Sequence, residues 1–154
     1  MRIFSDLDEL VSAKGEHLGH SDWLELTPRR VCNFAAASSG GPARLAAVEE
    51  GAGAWGGSAA GGDIGGPLLL GLLPAMMREI FMVERCGTAL NFGLERARFG
   101  PPVPVGSRVR GEGELSGAYG VPGGWLVSVR MTVELEGGRL PPACEADTVS
   151  LFLV

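Results

Sequence analysis

Groups able to move a proton or attack a carbonyl are scarce in this 154-residue chain. Its two histidines, His17 and His20, lie in a polar stretch near the N-terminus and read as surface or turn residues. Ser38 and Ser39 are adjacent hydroxyls, yet a serine without a neighbouring base is no nucleophile, and their position suits the end of a helix. Cys32, Cys86 and Cys144 are odd in number and widely spaced. Without a CxxC pair or an accompanying histidine cluster they suggest neither a disulfide framework nor a zinc site. No activating base adjoins them, so inert buried thiols are expected. Glu49 and Glu50 read as a solvated helix face. Asp63 stands just ahead of Ile64-Gly65-Gly66, at the head of the longest apolar stretch, where a carboxylate favours a helix N-terminus.

The elements that must carry these residues follow from pattern. Leu7, Leu10 and Val11 at helical spacing, with Gly15 as a stop, predict a short first helix. Ser21 to Leu26 reads as a short strand or a lead-in loop. Thr27-Pro28 is a cap followed by proline at the first helical position, opening a helix with Val31, Phe34 and Ala35 on its buried stripe and a break across Ala37 to Pro42. Arg44 to Glu50 is a second short helical candidate. Eight of the 25 glycines fall between Gly51 and Gly66. Pro67 to about Val83 then predicts the longest helix, buried nearly all round and kinked at Pro74.

The C-terminal half changes period. Trp125, Val127, Val129, Met131, Val133 and Leu135 alternate with polar or outward residues, which predicts a long strand with one buried face. Ala89 to Arg98, Ser107 to Ser116 and Thr148 to Val154 predict further strands, punctuated by Gly100-Pro101-Pro102, Gly123-Gly124 and Gly137-Gly138. Helices first, one long apolar helix, then antiparallel strands make an α+β plan in a single domain, residues 1–154.

Composition narrows the partners. A net charge of −5 leaves no basic footprint for nucleic acid. The stretch Ile64 to Met77 is too short to span a bilayer, so no membrane partner is expected. Met1 to Gly15, with Asp6, Asp8 and Glu9, is not a signal peptide. With its unpaired cysteine pattern the chain suits a reducing, cytoplasmic setting.

An ordered set of short segments resembles a known family. Gly-His-Ser-Asp-Trp (19 to 23), Asn33-Phe34-Ala35, Leu72-Leu73-Pro74, Leu90-Asn91-Phe92-Gly93, Arg98-Phe99, the run Pro102 to Arg110 and Pro142-Ala143-Cys144-Glu145-Ala146 follow the pattern of the MaoC-like (R)-specific enoyl-CoA hydratases and dehydratases. The likeness spans essentially the whole chain. It implies a hotdog fold, in which an antiparallel sheet wraps a long central helix. It also implies dimerisation and an acyl-thioester pocket near the subunit interface, with no cofactor and no metal.

The same resemblance exposes a loss. The family hydrates a double bond with an Asp-x-x-x-x-His pair that follows the helix containing Phe34. Counted without a gap, the aspartate falls on Gly40 and the histidine on Leu45, and neither holds an exchangeable proton. A second family motif, Ala-His-Gly, opens the central helix and supplies a backbone N–H to the thioester oxygen. Counted back from Pro74, its histidine falls on Gly65 and its glycine on Gly66. The Gly66 N–H therefore survives as a donor at a helix N-terminus.

Candidate site residues follow from this register. The Gly66 N–H is the carbonyl-polarising donor, and Asp63 is either a replacement base or a helix-stabilising carboxylate. Ser38, Ser39, Gly40, Leu45, Gly65, Leu68 and Asn91 are placed around the substrate, whereas Arg98 suits a structural or interfacial role. Two functions stay open. The chain is either a repurposed cyclase, isomerase or dehydratase-like enzyme of secondary or lipid metabolism acting on an acyl-thioester or polyketide-like substrate, or a non-catalytic subunit paired with an active (R)-specific enoyl-CoA hydratase chain. The first implies a homodimer, the second a heterodimer.

Overall fold

A computed structural model of the chain describes residues 1–39, 63–138 and 141–153. Its elements in order are β1 (Arg2–Asp6), α1 (Leu7–Ser12), β2 (His17–His20), β3 (Leu24–Glu25), α2 (Pro28–Ser39), β4 (Asp63–Ile64), α3 (Gly66–Ile80), β5 (Phe81–Arg85), β6 (Thr88–Phe99), β7 (Val103–Pro104), β8 (Arg108–Val121), β9 (Gly124–Leu135) and β10 (Cys144–Leu153). Six strands form the main sheet: β8, β9, β10 and β6 run in that order, and β2 and β3 pair with the other side of β8. Every pairing in it is antiparallel, so the α+β plan holds. The helix candidate at Arg44 to Glu50 and the glycine-rich loop lie outside the described residues.

Alternation on β9 decides which face is covered. Val127, Val129, Met131 and Val133 are buried to 1% or less, and they share one core with Leu69, Leu73, Met76 and Ile80 of α3. A Cβ added at Gly111 on β8 would stand 3.0 Å from Met76 Cβ, so the helix crosses β8 at backbone distance. α3 is not buried all round: Pro67, Gly71 and Ala75 are exposed among the described residues. It runs without interruption through Pro74. No helix of the described residues is long and apolar enough to cross a membrane.

The expected continuation of α3 to Val83 does not occur. Phe81 leaves the helix with extended torsions (φ −148°, ψ 160°). Phe81 to Arg85 instead pairs in parallel with β1, Arg2 opposite Phe81 and Phe4 opposite Val83. Phe4 is fully buried and meets Phe81 edge to face at 6.2 Å. This long-range pairing overrides the local helical pattern, a competition that β-branched and aromatic residues usually resolve by packing. α2 reaches Ser39, into the first residues of the anticipated break, the rest of which lies outside the described residues, and Thr27 does cap it, its Oγ1 accepting from Arg30 N at 3.2 Å.

At the start of α1, Asp6 is the cap. Its carboxylate accepts from Glu9 N at 3.0 Å, while Glu9 accepts from Ser5 N and Ser5 Oγ, a reciprocal capping arrangement. The backbone bond from Glu9 and then the Arg85 guanidinium at 2.8 Å hold the Asp6 carboxyl below its ordinary range. A depressed carboxyl contributes stability above its unfolded pKa and loses it as pH falls through the folded value. Asp6→Ala should therefore lower the melting temperature most at neutral pH, and the gap from wild type should close in acid. A gap independent of pH in thermal melts would assign the cap no ionic role.

Candidate active site

The head of α3 is built by glycine and held by short strands. Asp63 and Ile64 pair with Pro104 and Val103, and Ile64 and Val103 are buried at 4% and 1%. This clamp fixes the chain immediately before Gly65, whose extended torsions (φ −74°, ψ 149°) make it the N-cap. Gly65 has no side chain with which to cap; its carbonyl accepts from Leu68 N at 3.2 Å, and no side-chain cap serves the Gly66 N–H. Gly66 is the first helical residue and Pro67 the second, so proline withholds its missing donor one position later than expected and leaves the Gly66 N–H in place.

Phe99, at the end of β6, closes one side. A Cβ on Gly66 would fall 2.3 Å from Phe99 Cδ1, so only glycine fits beneath that ring. Phe99 itself is half exposed. It belongs to the Arg98-Phe99 motif, but nothing in its spacing signals the contact with Gly66, and it is the site residue that sequence reasoning passes over.

The other candidates distribute as follows. α2 touches α3 through Phe34, whose Cε2 is 3.7 Å from where a Gly71 Cβ would sit. Ser38 is exposed, and its hydroxyl donates to Phe34 O at 2.7 Å, back along its own helix. Ser39 is the last residue of α2. Gly40 and Leu45 lie outside the described residues. Leu68 points into the core at 6% exposure. Asn91 faces Ser150 in the β6–β10 ladder. Paired residues share a face, and the neighbouring Thr148 touches Met77 Sδ at 3.6 Å, so Asn91 is on the face that α3 covers. Its partner Ser150 is nevertheless six residues along β10 from Cys144, the partner of Phe99, roughly 20 Å at strand rise. Within one chain Asn91 and Gly66 do not meet.

Both histidines are on β2, at the far side of the sheet from β6. A Cβ on Gly19, between them, would lie 4.0 Å from Ile80 Cγ2 at the C-terminal end of α3, roughly 21 Å of helix away from Gly66. With only two histidines in the chain, no imidazole of the same subunit stands at the head of α3. Cys144 offers no substitute: burial, then the nearby Glu145, pushes it up to about 11, far from a thiolate at neutral pH.

No family model matches the chain. It is 36% identical to 3-hydroxyacyl-thioester dehydratase Z of Mycobacterium tuberculosis over 160 aligned positions, covering 99% of both chains. The structure of a MaoC-like dehydratase from Rhodospirillum rubrum superposes with a TM-score of 0.61 at 14% identity, covering 97% of each. The chain belongs to the MaoC-like dehydratase family. The fold of this family member is accordingly the hotdog, with α3 as the wrapped helix. The C-terminally truncated HadBC (3R-hydroxyacyl-ACP dehydratase) complex of Mycobacterium tuberculosis has the same fold, with a TM-score of 0.62 at 14% identity over 90% of this chain and 96% of that one.

Proposed function

We propose that this MaoC-like chain binds an acyl-thioester or polyketide-like substrate against the Gly66 N–H and does not hydrate it by the family's acid–base route. It acts instead as a repurposed cyclase, isomerase or dehydratase-type enzyme in a cytoplasmic setting. The observation that carries this reading is the absence of any histidine of the chain near the head of α3, together with Gly40 and Leu45 where the family holds its pair. A donor at a helix N-terminus polarises a carbonyl without exchanging a proton, and orientation in an apolar site lowers the remaining barrier. Asp63, next to this helix head in sequence, is the alternative to that picture: a replacement base rather than a carboxylate that only stabilises the helix N-terminus. The relative's name, 3-hydroxyacyl-thioester dehydratase, supports the substrate class. Thermal-shift screening of acyl-CoA, acyl-pantetheine and polyketide-like compounds tests it. Stabilisation by a thioester, reduced in a Gly66→Ala variant that displaces Phe99, is expected; no stabilisation by any thioester counts against the reading.

The edge of the sheet favours an assembly. β6 is a 12-residue edge strand, and Leu90, Phe92 and Leu94 on it are 47%, 65% and 50% exposed. Long apolar edges are sites for pairing with another chain. Two β6 strands pairing antiparallel around Glu95 would bring Asn91 of the partner subunit alongside Phe99, and so to the pocket that its own chain denies it. Sedimentation should therefore give about twice the 16.0 kDa monomer mass, and Phe92→Lys with Leu94→Lys should give monomer. The same edge supports the second reading, a non-catalytic subunit joined to an active (R)-specific hydratase chain, as the two-protein HadBC complex illustrates for its own members. A wild-type monomer that dimerises only with such a chain would select it.

A further inference from the structure

We propose that His17, His20 and Glu112 form a binding site for one divalent transition-metal ion on the outer face of the sheet, separate from the head of α3. The site exists because β2 is bulged. His17 stands opposite Glu114, Gly19 opposite Gly113 and His20 opposite Glu112, so two steps on β2 match one on β8. In a regular strand, residues three apart point to opposite faces. The extra residue returns both imidazoles to the same face, and Gly19 supplies the backbone for it with φ +129°. The two rings lie 4.9 Å apart.

Three ligand atoms, one from each residue, fall within 4.8 Å of one another, and His17 Nε2 is 3.0 Å from Glu112 Oε1. A tetrahedral ion with bonds of about 2.0–2.1 Å holds its ligands about 3.3 Å apart, so side-chain rotation closes the set without moving either strand. Two imidazoles and a carboxylate suit Zn²⁺, Ni²⁺ or Cu²⁺ rather than Ca²⁺ or Mg²⁺, which prefer all-oxygen shells. Both histidines are exposed and accessible to an ion.

The surroundings favour a cation. Gly111 and Gly113 pack on Met76 and Ile80 of α3, so Glu112 and Glu114 project to the opposite face, adding a second carboxylate across from His17. Among the described residues, the arginines flanking the site on that face are engaged elsewhere. Arg110 bonds Glu134 at 2.8 Å and lies over the Trp23 ring at 4.7 Å, and Arg130 bonds Asp147 at 3.1 Å.

Calorimetric titration of the full chain with Zn²⁺ tests the site, alongside electron paramagnetic resonance of the Cu²⁺-loaded protein. One ion per chain is expected, with coupling to two imidazole nitrogens in the Cu²⁺ spectrum. Affinity should fall by about tenfold or more in Glu112→Gln and disappear in His17→Ala with His20→Ala, while apo melting temperatures stay unchanged. Absence of Zn²⁺ binding overturns the proposal. So does binding that survives the double histidine variant, which would assign the ion to the thiols, or a Cu²⁺ spectrum without nitrogen coupling, a readout that requires no variant.

Discussion

Offered crotonyl-CoA or a longer trans-2-enoyl-CoA, the purified protein is expected to show no appreciable loss of the enoyl thioester absorbance. The family's route needs one group to take a proton from water and another to deliver one, and each such group is worth about 10²- to 10⁴-fold in rate. Gly40 and Leu45 supply neither, and both histidines are at the other end of α3 from Gly66. An N-terminal donor alone is worth roughly 10²- to 10³-fold, enough to polarise a carbonyl but not to move the protons. Gly40→Asp with Leu45→His should return a trace of hydration if the Gly66 N–H is aimed at the carbonyl oxygen. Turnover by wild type at the rate of an intact hydratase would sink this account and require a different acid and base.

Filling the space at the head of α3 should do more damage than removing its charge. In a site that works by shape and carbonyl polarisation, wall changes dominate over polar losses. Gly65→Phe and Leu45→Trp are expected to abolish ligand binding, whereas Asp63→Asn should lower activity by less than about tenfold, against the larger loss that removal of an essential base brings. Gly65 has a negative φ in the extended region, so phenylalanine meets no backbone strain, and an unchanged melting temperature would read the loss as blockage rather than unfolding. The comparison uses a thioester found by thermal shift, with binding and turnover measured separately. If Asp63→Asn stops turnover while binding persists, Asp63 is the base and the shape-only picture fails.

Local pattern made much of this molecule legible. The period-two alternation from Trp125 to Leu135 marked β9 and its buried face, because successive side chains of a strand point to opposite sides. Thr27-Pro28 marked the start of α2, and Gly65-Gly66-Pro67 that of α3, because caps and proline act within a turn of the helix they open. The ordered motifs carried the family and with it the hotdog. The ungapped count that sets Gly40 and Leu45 at the positions of the family's acid–base pair also needs only the sequence.

What only the tertiary structure decided are the meetings of distant segments. Phe81 to Arg85 continues a helical pattern, yet it is a strand because β1, at the other end of the chain, offers a parallel partner and a buried Phe4 to pack against. Phe99 lies over Gly66, while Asn91, on the same strand and the same sheet face, is removed from that site by strand length alone. His17 and His20 read as unrelated surface residues until a single extra residue in β2 turns them to one face beside Glu112. A bulge shifts every side chain beyond it by one pleat, and its position depends on pairing with a partner strand some 90 residues away, which no local propensity encodes.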